Sequence, residues 1–165
     1  MTRINILGVG LACVTLTAAC GGAAVAPAAV APTLDVTDWT DTTELFMEYP
    51  PLVAGQTALF AVHLTRLSDF SAMTAGRPRL EFTPEAGGSP VVVQGMEPSR
   101  PGVFRVEGPM PQAGRYRWAL AIEAPGLSDR HDLGAVAVFA DAAAAIADAE
   151  SQADDYPAEI GRAHV

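Results

Sequence analysis

The sequence contains no lysine. Its 165 residues carry 10 basic side chains, all arginine, against 19 Asp and Glu, for a formal net charge of −9. Such a chain lacks the basic patch that neutralises phosphates, so nucleic acid is not an expected partner. Cysteine is nearly as scarce: Cys13 and Cys20 are the only two, too few for a disulfide scaffold or a cysteine-only zinc centre. No apolar run reaches the roughly 20 residues that cross a bilayer as a helix. The zinc-protease H-E-x-x-H, the nucleophile-elbow G-x-S-x-G and the phosphate-binding P-loop are all missing, so the chain is not expected to be an enzyme. Charged residues are few, at 18%, but 50% of the chain is hydrophobic, which excludes composition-driven disorder.

What is present divides the chain into segments. Residues 1–19 read as a secretory signal peptide, with Arg3 in the n-region, apolar residues from Ile4 to Leu16, and the small pair Ala18-Ala19 before Cys20. Leu16-Thr17-Ala18-Ala19-Cys20 resembles a bacterial lipobox, with Thr17 where leucine is commoner. That reading makes Cys20 the lipidated first residue of the mature chain and a membrane the first partner. The plainer alternative is cleavage after Ala19 that leaves Cys20 a free thiol, a liability in an oxidising compartment. Cleavage removes 19 of the 165 residues, Arg3 among them, and leaves 146 with a net charge of −10. Residues 20–34 form an Ala/Pro tether with no period and no large side chain beyond Leu34.

Residues 35–140 show alternating apolar positions punctuated by turn signals, the pattern of an all-β protein. Strands are expected at Glu44–Tyr49, Ala58–Leu64, Arg77–Thr83, Val91–Gln94, Gly102–Glu107, Arg115–Glu123 and Leu133–Phe139. Seven strands in about 100 residues are the size of an immunoglobulin-like β-sandwich. Tyr116 follows Ala113-Gly114-Arg115 as a corner tyrosine does, and Trp118 is expected in the core. Residues 141–159 are an Ala-rich acidic linker, helical in part and capped by Asp141. The last six residues, IGRAHV, match one reading frame of a widely used sequencing adapter. Residues 160–165 are therefore expected to be an artefactual tail, with the natural chain continuing past Glu159.

Chemistry-bearing residues are sparse. His63 lies on the second expected strand, opposite in facing to Phe60 and Val62. His131 lies in the loop Leu127–Asp132. Two imidazoles and an aspartate are the raw material of a metal site, so His63 and His131 are the candidate ligands. The competing reading, a solvated strand histidine and a loop histidine, suits their separation of 68 residues better. Met47, Met73, Met96 and Met110 are too dispersed for a thioether copper site and read as core packing. Asp38, Asp41, Glu44 and Glu48 read as a solvated face, without EF-hand spacing. No resident cofactor is expected.

Several segments are more specific: Trp39–Pro50 (WTDTTELFMEYP), Leu52–Gly55, Phe60–Thr65 (FAVHLT), Ser99–Phe104 (SRPGVF), Gly114–Tyr116 and His131–Gly134 (HDLG). Through them the stretch from Asp38 to Ala143 resembles the N-terminal region of HlyD-like membrane fusion proteins. These are the periplasmic adaptor subunits of resistance-nodulation-division (RND) efflux systems, and the likeness is to their heavy-metal branch. The resemblance implies an accessory domain of a lipid-anchored adaptor, facing the periplasm from the inner membrane. It implies the pump and the outer-membrane channel as partners of a longer protein, whose barrel-sandwich, coiled-coil and β-barrel parts would follow the linker. The alternatives at this stage are a free-standing lipoprotein module that binds a metal or small ligand, and a structural spacer.

Overall fold

A computed structural model describes residues 32–154. The expected signal peptide, the lipidation site Cys20, most of the tether and the tail 160–165 lie outside the described residues. Within them the chain is all-β apart from one helix. The strands are β1 (Leu34–Trp39), β2 (Thr43–Tyr49), β3 (Thr57–Arg66), β4 (Ser71–Ala72), β5 (Arg77–Pro84), β6 (Val91–Gln94), β7 (Val103–Pro109), β8 (Gly114–Ala124) and β9 (Leu127–Val138), followed by α1 (Ala142–Asp154). All ladders are antiparallel. One sheet runs β1-β2-β3, with β7 and the two-residue β4 both on the far side of β3; the other runs β6-β5-β8-β9.

Alternation decides which side chains the sheets share. Leu45 and Met47 of β2, Phe60, Val62 and Leu64 of β3, and Phe104 and Val106 of β7 face Leu80 and Phe82 of β5 and Trp118, Leu120 and Ile122 of β8 in one core. The aromatic rings interlock there: Tyr49 meets Trp118 edge-on at 5.1 Å, and Phe82 meets Tyr116 edge-on at 6.2 Å. Tyr116 acts as the expected corner, its hydroxyl donating to the Gln112 carbonyl at 2.7 Å. The Trp118 indole N–H donates to the Leu133 carbonyl at 3.1 Å, so the polar edges of both rings are satisfied. Met47, Met73 and Met110 are buried as expected, whereas Met96 is exposed.

Three features differ from the sequence reading. Leu34–Trp39 is a strand, although the first strand was expected only at Glu44. The last strand begins at Leu127, so His131 is in β9 and not in a loop. The two-residue β4 is too short to leave a pattern. The first two departures share a cause: Asp38, Asp129 and His131 are polar residues on inward-facing positions, and they interrupt the apolar alternation from which strands are read. A bulge adds to this. Arg117 pairs with Ala135 but Ala119 pairs with Asp132, so Leu133 and Gly134 together oppose Trp118. Gly134 takes the left-handed conformation there (φ +82°). The inward positions of β9 consequently change from odd (Asp129, His131) to even (Val136, Val138).

The linker segment folds back. Asp141 caps α1, accepting from the Ala144 N–H at 2.9 Å, and Ala145 and Ala149 are buried against the sheets. A groove between α1 and the edge strand β1 is lined by Pro32 to Thr37 on one side and Ala149 and Gln152 on the other. The phenol of Tyr49 is pushed up to about 12, first by burial and then by the carboxylates of Asp35 and Asp148.

The sheets also join at their other edge, where Gly95, just past β6, bridges Val106 of β7. A Cβ on Gly95 would lie 2.7 Å from the Pro78 carbonyl oxygen and 2.9 Å from Val106 Cγ2. Gly95→Ala is therefore expected to destabilise the fold by about 1–3 kcal/mol through overpacking, read as a lowered urea midpoint with an unchanged slope.

Candidate functional site

The densest polar constellation lies between the sheets, where β9 faces the β1–β2 hairpin. Asp129 and His131 point inward from β9. Asp38 of β1, Thr40 and Thr42 of the turn, and Thr43 of β2 meet them from the other sheet. His131 and Thr43 are both fully buried. The Thr40 hydroxyl donates to Asp129 Oδ2 at 2.6 Å, the Thr42 hydroxyl at 2.5 Å, and the Thr43 hydroxyl donates to the same oxygen. The backbone N–H of Arg130 donates to Asp129 Oδ1 at 2.8 Å. Burial works against charge on Asp129, but the three threonine hydroxyls and this N–H outweigh it and hold the carboxyl at about 2.

His131 completes the set. Its Nε2 lies 2.9 Å from Thr43 Oγ1 and its Nδ1 lies 2.9 Å from Asp38 Oδ2. Both ring nitrogens are engaged, one by a hydroxyl of β2 and the other by a carboxylate of β1, so the imidazole joins β9 to β1 and β2. Among the described residues no buried side-chain nitrogen or oxygen lacks a partner.

Hydroxyl, imidazole and carboxylate in sequence are also the order of a nucleophilic triad. Burial separates this one from catalysis: Thr43 and His131 are both fully buried, which leaves no path for a substrate atom. What the arrangement does is clamp the sheets.

The proposed pairing of His63 with His131 is not formed. His63 sits on the outer face of the first sheet, its ring 5.7 Å from that of Phe46, while His131 is interior and belongs to the second sheet. Among the described residues no group of three or more His, Cys, Asp or Glu is placed to hold a metal ion. Asp38 was read as part of a solvated face and is instead a clamp residue. The Thr40–Thr43 contribution was missed altogether. The one signal available was the density of short polar residues in Thr40-Asp41-Thr42-Thr43 directly before an apolar strand. Among the described residues no helix is long and apolar enough to cross a membrane.

Two outcomes follow from the clamp. His131→Ala removes the partner shared by Thr43 and Asp38 and leaves a buried cavity, and is expected to cost about 2–4 kcal/mol, measured by urea unfolding. The depressed carboxyl of Asp129 sets an acid limit. Its contribution is complete above its unfolded value near 4 and is lost as pH falls toward its folded value of about 2. Asp129→Asn should flatten the stability–pH profile across that window in acid titrations followed by near-UV circular dichroism. A scan of protein-family models and searches of curated proteins and of solved structures each returned no match to this chain.

Proposed function

We propose that the chain is the exported, lipid-anchored N-terminal module of a periplasmic adaptor in a tripartite RND efflux system, acting in transport across the cell envelope and not as an enzyme. The observation that carries this reading is where the residues of the resemblance fall. Trp39–Pro50 and His131–Gly134 are remote in sequence, yet they supply Thr40, Thr42, Thr43 and His131 to one clamp. The shared residues thus belong to one folded unit, as expected if a whole domain and not a scattered set of short motifs is held in common. The immunoglobulin-like assignment is part of the proposal. Its support is two antiparallel sheets around a common core and the tyrosine corner at Tyr116. The non-enzymatic role is supported by the full burial of Thr43 and His131.

The test is the genomic locus. An open reading frame continuing past codon 159 into a barrel-sandwich and coiled-coil region, beside a gene for an inner-membrane pump, is the expected finding. A stop codon directly after Val165 with no such neighbour would overturn the adaptor reading and leave a free-standing lipoprotein module. The anchor has its own check. Cys20→Ser should abolish lipid attachment, seen by mass spectrometry of the mature N-terminal peptide, and release the protein from the membrane fraction.

A further inference from the structure

The outer faces of the two sheets treat charge differently. On β5, β8 and β9, Glu81 bridges Arg79 at 2.8 Å and Arg130 at 2.5 Å, and Arg130 also reaches Asp132 at 3.0 Å. These residues flank Ala119 and Ala121 in the register and leave both alanines buried on a solvent-side face. That face is neutralised from within.

On the outer face of the other sheet the ion pairing is confined to β7, where Arg105 bridges Glu107 at 3.0 Å beside Ala61 and Leu59; β1, β2 and β3 have no such lattice among the described residues. Their register sets Trp39, Phe46, His63, Ala61 and Leu59 along a diagonal across three strands. Trp39 is 59% exposed, Leu59 41% and Phe46 36%. Glu44 flanks the diagonal on one side, Asp35 and Glu48 on the other. Among the described residues none of these three carboxylates takes part in an ion pair.

We propose that this face is a docking surface for a cationic polypeptide, a partner whose contact patch has an apolar centre ringed by arginine or lysine. The aromatic diagonal supplies desolvated anchors of the kind that dominate interfaces. The unpaired carboxylates select the sign of the partner's charge and speed its approach. A second copy meeting this face with its own would oppose carboxylate to carboxylate, so the occupant is a different chain. The stripe lies on a pleated sheet face, which suits a protein surface better than a small molecule needing a concave pocket. The inference stands whether or not the chain belongs to an efflux system.

The test uses the full chain and two short strand-forming probes, one alternating lysine with leucine and one alternating glutamate with leucine. Trp39 reports contact: of the two tryptophans Trp118 is buried, and Trp39→Phe should silence the signal. Expected is saturable binding of the lysine probe only. It should weaken at least about tenfold, or about 1.4 kcal/mol, with Phe46→Ala or with Glu44→Gln plus Glu48→Gln. The control Glu85→Gln plus Glu97→Gln, beside the other sheet, should leave it within about twofold. Near-UV circular dichroism confirms that each variant is folded. Equal weakening by both pairs would reduce the effect to net charge and overturn the proposal. So would failure of the lysine probe to bind, equal binding of the glutamate probe, or probe-free dimerisation in sedimentation that Phe46→Ala abolishes.

Discussion

The fold depends on a charge that it keeps out of water. Two sheets with apolar inner faces would slide and rotate against each other at little cost, because dispersion and hydrophobic burial are not directional. The ionised Asp129, with three hydroxyls of the β1–β2 hairpin aimed at one of its oxygens, removes that freedom at one edge. His131 removes it a second time by reaching both β1 and β2. Leaving Asp129 without its donors would cost about 1–3 kcal/mol or more, comparable to the roughly 1.5–3 kcal/mol that any one large apolar side chain contributes by burial. The clamp therefore does less to make the protein stable than to make one arrangement of its sheets the stable one.

The same clamp explains what could be read from the sequence. Strands β2, β3, β5, β7 and β8 alternate cleanly, because nearly all their inward positions are apolar, and their placement follows from Leu45, Phe60, Leu80, Phe104 and Trp118 alone, while β6 is legible from its run of valines. Strand β1 and the first half of β9 present Asp38, Asp129 and His131 to the interior, so the period-two signal vanishes where the structure is most tightly tied. The bulge at Gly134 then reverses which residues of β9 face inward, a change that no fixed-period reading can follow. The candidate site was illegible for a related reason. Its members come from Thr40–Thr43 and from Asp129–His131, and only the pairing of edges across two sheets brings them together. His63 and His131 were singled out by residue type, which carries no information about the layer that separates them.

The molecule is polarised beyond its net charge. One outer face carries interlocked arginines and carboxylates over buried alanines; the other carries tryptophan, phenylalanine and leucine beside Asp35, Glu44 and Glu48, which are unpaired among the described residues, with one ion pair, Arg105–Glu107, on β7. With no lysine anywhere, the positive charge is held by arginine, whose planar fork allows Arg130 to satisfy Glu81 and Asp132 together. The acidity of the chain is thereby concentrated in presentation as well as in number, on the sheet that includes the edge strand β1.

The groove between α1 and β1 has a mechanical consequence. Pro32, at the start of the described chain, and Gln152, close to its end, line the same cleft. The polypeptide therefore arrives and departs on one side of the domain. A domain hung in this way adds almost no reach between whatever precedes it and whatever follows. It is a pendant and not a strut, and its value to a longer chain lies in the surfaces it displays.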